Sequence, residues 1–208
     1  MFAVSFVSSA QSNKKGEQKM EKSIMIVGVG GQGTLLASRI LGSALLDCGY
    51  DVKVSEVHGM SQRGGSVVTY VRCGEEVASP IIEKGEADII LAFEQLEAAR
   101  WLSFLKPDGK IIVNTQTIDP MPVVIGTAEY PEGVIDAVKA AGADVQAIDA
   151  LSLAVEAGTA KAVNVVLIGA MAKNMPLDKE VWIKALKESV PAKFLELNLK
   201  AFEMGYNI

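Results

Sequence analysis

The amino-acid sequence predicts an α/β fold with a mostly parallel central sheet surrounded by helices. Half of the 208 residues are hydrophobic, and short β-branched apolar runs alternate with segments of helical periodicity that end at glycines. The chain carries a net charge of −5, one histidine and two cysteines. This composition argues against nucleic acid as the main partner, and against a disulfide scaffold, a zinc site or a four-cysteine iron–sulfur cluster on this chain.

Strands are predicted where β-branched residues run together and glycine, proline or polar residues end the run. In chain order these segments are residues 24–27, 52–57, 66–72, 87–93, 110–114, 123–125 and 145–148. Residues 73–75 are predicted to turn the chain so that 76–78 pair back as a hairpin, and 107–109 are predicted to form a turn. A small antiparallel sheet or hairpin is therefore expected beside the parallel strands.

Helices are predicted where apolar residues recur every three to four positions. These segments are residues 34–48, 95–105, 132–141, 151–157, 160–173, 178–188 and 192–204. Asn164 is the polar residue within an apolar helix, and we interpret it as a buried amide with hydrogen-bond partners rather than a ligand group.

Residues 1–19 are predicted to be a disordered leader or a mis-assigned start before Met20, and residues 20–208 to form one domain. Residues 2–10 are apolar or small, but no basic residue precedes them, which disfavours a secretion signal. Since no apolar run is long enough to span a bilayer, we expect no membrane partner and a cytoplasmic location.

A first glycine-rich loop fits the pattern G-x-G-x-x-G between a predicted strand and a predicted helix, as in Rossmann-like folds. Its glycines allow a tight turn, and the helix N-terminus offers N–H donors to a phosphate. The acidic residue expected at the end of the second strand is misplaced, because Asp51 begins that strand and Glu56 lies too late. A loop that only allows close packing is the alternative. The predicted cofactor-binding residues are Gly28, Gly30, Gly31, Gln32 and Gly33.

A second glycine-rich loop follows the second predicted strand and should emerge beside the first. Its density of donors suggests an anionic partner, with Arg63 able to hold a phosphate or carboxylate. His58 could act as an acid or base, but no nucleophile or carboxylate partner is identifiable, which favours a structural role. No catalytic residue is assigned with certainty. The predicted cofactor-binding residues here are His58, Gly59, Met60, Ser61, Gln62, Arg63, Gly64 and Gly65.

These two loops resemble the gamma-type subunit of 2-oxoacid:ferredoxin oxidoreductases, and most of all the beta subunit of the indolepyruvate enzymes. The segments at residues 85–88, 164–170 and 198–205 resemble the same family, so the likeness runs from about Met20 to Gly205. It implies a complex that decarboxylates a 2-oxo acid oxidatively, forms an acyl-CoA and reduces ferredoxin. In that family thiamine diphosphate, Mg²⁺ and the iron–sulfur clusters belong to a larger partner subunit, and the loops of this chain would contact coenzyme A.

Two other functions fit the residues less well. One is a free-standing Rossmann-type oxidoreductase that uses NAD(P), and the misplaced acid counts against it. The other is a regulatory module that binds coenzyme A or a nucleotide without a large partner. Pyruvate, ketoisovalerate and indolepyruvate enzymes share the loop motifs, and the length of the chain favours the aryl pyruvate type.

Overall fold

A computed structural model describes residues 20–58 and 65–208, with the side chain of His58 excluded, so the predicted leader 1–19 lies outside the described residues. These residues form one six-stranded sheet in the order β2-β3-β1-β4-β5-β6. Its strands are β1 Lys22–Val29, β2 Asp51–His58, β3 Ser66–Gly74, β4 Ala87–Ala92, β5 Leu105–Asn114 and β6 Asp144–Ile148. Strands β1, β4, β5 and β6 are parallel, which confirms the predicted α/β class.

Helices cover both faces of the sheet. They are α1 Thr34–Asp47, α2 Gln95–Trp101, α3 Met121–Val124, α4 Val134–Ala140, α5 Ala150–Ala157, α6 Val163–Lys173, α7 Lys179–Ser189 and α8 Leu195–Tyr206. α1 and α6 contact the strands on one face, with α5, α7 and α8 packed against them, while α2 and α4 lie on the other face. No helix in the described part of the chain is long and apolar enough to cross a membrane.

Strand β1 explains why the apolar runs of this sequence are continuous rather than alternating. Ile24 and Ile26 belong to the core beneath α1 and α6, whereas Met25 and Val27 belong to the core beneath α2. Each of these four side chains is fully buried. A strand covered on both faces needs apolar residues at every position, which is typical of parallel sheets enclosed by helices.

The antiparallel part of the sheet is β3, which runs against both of its neighbours, β1 and β2. It therefore belongs to the main sheet, and the hairpin joins β2 to β3. The predicted hairpin strand at residues 76–78 is wrong. The N–H of Val77 instead donates to the Asp51 carboxylate at 2.8 Å, so a side chain takes the place of a strand partner.

Two further local predictions are wrong. Residues 107–109, predicted as a turn, lie inside β5, where the pairing with β4 shifts its register. An added Cβ at Gly109 would lie 2.9 Å from the carbonyl oxygen of Ala87, so glycine permits this close passage. Residues 123–125, predicted as a strand, include the end of helix α3, which Pro120 precedes and which has Pro122 as its second residue. Proline fixes φ near its helical value and suits a first turn.

At the amino ends of the strands, Asp88 of β4 joins β1 to β5. Its carboxylate accepts from the backbone N–H of Ser23 at 2.8 Å and from the ammonium groups of Lys22 and Lys106 at 3.3 and 2.9 Å. Burial acts to raise the pKa of Asp88, but the hydrogen bonds from Lys106 and Ser23 and the nearby charges outweigh it and lower this pKa.

Asp88→Asn should therefore lower the free energy of unfolding at neutral pH by about 1–3 kcal/mol, the usual contribution of hydrogen bonds to a charged group. Because the pKa of Asp88 is depressed by folding, its stabilisation is complete above the ordinary carboxyl pKa and is lost as the pH falls through the folded value. Urea unfolding at pH 7 and at pH 3 measures this. The exposed Asp108 provides the matched control, Asp108→Asn. An equal difference between wild type and Asp88→Asn at both pH values would contradict the assignment.

Candidate functional site

The first glycine-rich loop lies at the carboxyl end of β1, where β1, β3, β4, α1 and α6 meet. A Cβ at Gly28 would lie 3.0 Å from the Cβ of Phe93, and one at Gly33 would lie 2.6 Å from Nδ2 of Asn164. The amide of Asn164 donates to the Gly33 carbonyl at 3.3 Å and accepts from the Val165 N–H, which confirms a buried amide with partners. Close packing therefore explains two of the motif's glycines.

Gln32 uses its side-chain amide within the protein. Its Oε1 accepts from the N–H of Val29 at 2.7 Å, and its Nε2 donates to the carbonyl of Phe93 at 3.0 Å. The amide thus joins the end of β1 to the end of β4 and shapes the loop. The binding of a cofactor by Gln32 stays a prediction.

The described end of the second glycine-rich loop lies beside the first loop, as the sequence predicts. The N–H of Gly30 donates to the carbonyl of Gly65 at 2.9 Å, and Val29 pairs with Ser66 between β1 and β3. Residues Gly59–Gly64, with Arg63 among them, and the side chain of His58 lie outside the described part of the chain, so their predicted roles stay predictions. The ends of this loop are held at the carboxyl ends of β1 and β2.

The position of β2 counts against a dinucleotide-binding site of the Rossmann type. In that fold the second strand lies beside the first, and its terminal acid reaches the ribose. Here β3 separates β2 from β1, which places β2 about 10 Å away at ordinary strand spacing. Glu56 accepts a hydrogen bond at 2.9 Å from the hydroxyl of Thr69 on that intervening strand. The acid is therefore engaged two strands from the glycine loop.

Glu94, which directly follows β4, is a buried residue at this end of the sheet that the sequence did not single out. It is 1% exposed, and its carboxylate accepts hydrogen bonds from the N–H groups of Glu97 and Ile118 and from the hydroxyl of Tyr130. Burial, followed by the hydrogen bond to Glu94, raises the pKa of Tyr130, so its phenol remains a donor. Glu94 thus fastens the segment after β5 to the end of β4.

Asn114 at the end of β5 completes this arrangement. It is fully buried, donates to the Phe93 carbonyl at 3.2 Å and accepts from the Ala150 N–H at 3.2 Å. The Phe93 carbonyl therefore receives amide donors from both Gln32 and Asn114. The position of Glu94 and Asn114 directly at the end of apolar runs is the sequence signal that could have identified them.

A second buried carboxylate, Glu97 of α2, holds the beginning of β3. It is 3% exposed, accepts from the hydroxyl of Ser66 and forms an ion pair with Arg100 at 3.2 Å. Ser66 follows the second glycine-rich loop directly. Glu97 therefore attaches that loop's end to α2, as the Gly30 N–H attaches it to the first loop.

The two cysteines lack the character of nucleophiles. Burial raises the pKa of the Cys73 thiol to about 11, and burial with nearby Asp47 raises the pKa of Cys48. Both are free thiols, protonated at neutral pH. The described residues at this end of the sheet organise two loops, and the side chains that do so are engaged with the backbone or with each other.

The fold and the sequences of the two glycine-rich loops are those of a domain of the 2-oxoacid oxidoreductases. The chain belongs to the pyruvate ferredoxin/flavodoxin oxidoreductase family, whose model matches residues 23–208. It is 45% identical over 192 residues to indolepyruvate oxidoreductase subunit IorB of Thermococcus kodakarensis, a match that covers 89% of this chain and 94% of that protein. The predicted resemblance is thereby confirmed.

Solved structures share this fold. The gamma subunit of the keto/oxoacid ferredoxin oxidoreductase from Geobacter sulfurreducens is 27% identical, with a TM-score of 0.68 over 89% of this chain and 96% of that one. The 2-oxoglutarate:ferredoxin oxidoreductase of Magnetococcus marinus is 20% identical, with a TM-score of 0.69 over 92% of this chain but 31% of its own. The same fold therefore occurs both as a separate chain and as part of a longer one.

Proposed function

We propose that the chain is the smaller subunit of an indolepyruvate-type 2-oxoacid:ferredoxin oxidoreductase working in the cytoplasm. The observation that carries the proposal is the 45% identity to an indolepyruvate oxidoreductase subunit along 94% of that relative's length. The complex would convert a 2-oxo acid and coenzyme A to an acyl-CoA and carbon dioxide, and would pass two electrons to ferredoxin.

In this proposal the redox groups belong to the larger subunit. Thiamine diphosphate with its Mg²⁺ supplies carbanion stabilisation there, and iron–sulfur clusters carry the electrons. The two cysteines of this chain, both free and protonated, do not fit an iron–sulfur cluster. The part of this chain is to present its two glycine-rich loops to the active site of the partner.

Coenzyme A is the group that the loops of this chain would contact. Gly31 is exposed, and no described atom lies within 4 Å of the place where its Cβ would stand. As far as the described residues go, the loop therefore has room on its outer side, next to the N-terminus of α1, for a negatively charged group. Arg63 of the second loop would supply the side-chain charge.

Anaerobic purification of the native protein tests the proposal. We expect a larger subunit with thiamine diphosphate and iron–sulfur clusters to remain bound, and ferredoxin reduction that depends on coenzyme A and is fastest with indolepyruvate. A lone chain or homodimer under gentle conditions would contradict it. Binding of NAD(H) by the isolated chain at micromolar concentration would favour an independent oxidoreductase instead.

Arg63→Ala is expected to weaken the apparent affinity of the complex for coenzyme A by about tenfold or more, since hydrogen bonds between charged groups contribute about 1.5–3 kcal/mol. Steady-state kinetics of the reconstituted complex measures this, and the melting temperature of the isolated chain should not change. Arg72→Ala, at the opposite end of β3, is the matched control. Unchanged affinity and turnover would remove Arg63 from the proposed site.

A further inference from the structure

A distinct apolar surface lies on helix α3, just after β5. Met121, Val124 and Ile125 are 63%, 66% and 64% exposed, more than any other large apolar side chain of the described residues. Residues spaced by three and four positions share one face of a helical turn, so these side chains form one patch, here named the α3 patch. Clustered exposed apolar side chains of this kind mark interaction sites more often than isolated ones do.

The α3 patch is held in a defined conformation. The N–H groups of Val124 and Ile125 donate to the carbonyls of Pro120 and Met121 at 3.1 and 3.0 Å, and the Thr127 hydroxyl donates to the Pro122 carbonyl at 3.0 Å. On both sides of the patch the chain is attached to the buried Glu94, through Ile118 and Tyr130. The apolar side chains are thus fixed outward, which reduces the entropy lost when a partner binds.

The charge of the chain segment that carries the patch restricts the choice of partner. Between Ile111 and Val138 the sequence contains no lysine or arginine, and its carboxylates are Asp119, Glu129, Glu132 and Asp136. All four residues are exposed. Two copies of this surface would bring carboxylates against carboxylates, and an anionic membrane would repel it. A protein surface that has an apolar depression bordered by lysine and arginine is complementary to it.

The location of the patch connects it with the glycine-rich loops. It follows the carboxyl end of β5, at the same end of the sheet as the loop that ends β1. Gln32 of the first loop donates a hydrogen bond to the carbonyl of Phe93. The next residue, Glu94, accepts a hydrogen bond from Ile118 in the segment that leads to α3. A partner seated on α3 would therefore lie on the side of the molecule where both loops end.

We propose that the α3 patch is the docking surface for the larger, thiamine-diphosphate-carrying subunit, through an apolar depression on that subunit bordered by basic side chains. This inference rests on the proposed function and names the surface through which it is carried out. Docking there would position the glycine-rich loops against the active site of the partner.

The test uses the full chain, produced together with the larger subunit of the same organism. Val124→Glu is expected to weaken binding of the larger subunit at least about tenfold, because it places a charge in the apolar contact. Val155→Glu on α5, where the native side chain is 58% exposed, is the matched control and should bind as the wild type does. Glu129→Lys with Glu132→Lys should also weaken binding, and most strongly at low salt.

Separate arms of this experiment test the docking surface and the proposed function. If the wild type and Val124→Glu bind the larger subunit equally tightly, the docking inference is wrong and the proposed function stands. If the wild type does not bind the larger subunit at all, the proposed function fails and the docking inference fails with it. Melting temperatures of Val124→Glu and Val155→Glu equal to that of the wild type would establish that the fold is intact in both.

Discussion

Gly205→Ala is expected to abolish the stable fold, because the backbones of α6 and α8 touch at this position. An added Cβ would lie 1.9 Å from the carbonyl oxygen of Val166, and one at Gly169 would lie 2.2 Å from that of Phe202. Backbone atoms cannot move aside as a flexible side chain would, so the helices must separate and open the core around the buried Phe202. We expect a loss of more than about 4 kcal/mol, in the range of the most damaging single substitutions.

The sign of this effect distinguishes packing from helix propensity. Alanine in place of a helical glycine ordinarily stabilises a protein by about 0.5–1 kcal/mol. Apart from the adjoining residues and the backbone of α1 itself, no described atom lies within 4 Å of the position of a Cβ at Gly42, so Gly42→Ala should show this ordinary gain and raise the melting temperature by about 1–4 °C. Soluble yield and thermal melts of the full chain measure both. A Gly205→Ala protein that melts within a few degrees of the wild type would refute the close helix crossing.

Glu94→Gln is expected to loosen the segment after β5 and to lower the free energy of unfolding by about 2–4 kcal/mol. The carboxylate of Glu94 faces donors alone, namely the N–H groups of Glu97 and Ile118 and the hydroxyl of Tyr130. Glutamine has one acceptor oxygen, and its NH₂ group would point at one of these donors, which would lose its partner in a buried place.

Hydrogen exchange at the Ile118 amide and urea unfolding measure this change. In Glu94→Gln the Ile118 amide should exchange faster than in the wild type, while the amides of the core strands change less. Tyr130→Phe, which removes one donor, should lower the free energy of unfolding by less than Glu94→Gln does. The exposed Glu129 of the same segment supplies the control, and Glu129→Gln should change the stability by no more than about 0.5 kcal/mol. Equal stability of Glu94→Gln and Glu129→Gln would show that Glu94 does not organise the segment. Because Glu94 supports the α3 patch, weaker binding of the larger subunit by Glu94→Gln is also expected.

The candidate site could be predicted from the sequence in part. Two glycine-rich segments that follow predicted strands are expected to meet at the carboxyl edge of a parallel sheet, and the hydrogen bond from Gly30 to Gly65 places the described end of the second segment beside the first. The position of Glu94 after an apolar run marks it as a candidate, but the hydrogen-bond partners of Glu94 and Glu97 could not be predicted, because Tyr130 and Ser66 are distant in the sequence. A carboxylate next to an apolar run is normally a solvated helix start, and only the packed structure identifies it as buried.

By itself, the sequence determined which segments of this protein are strands and helices with strong periodicity, since apolar spacing and glycine ends act locally. It also contained the family likeness, which rests on the loop residues. Only the tertiary structure decided that β3 inserts antiparallel between β1 and β2, and that 121–124 form a helix that projects apolar side chains outward. The physical reason is that strand pairing and surface exposure depend on which edge or neighbour is available in space, and a local pattern of residues does not record that.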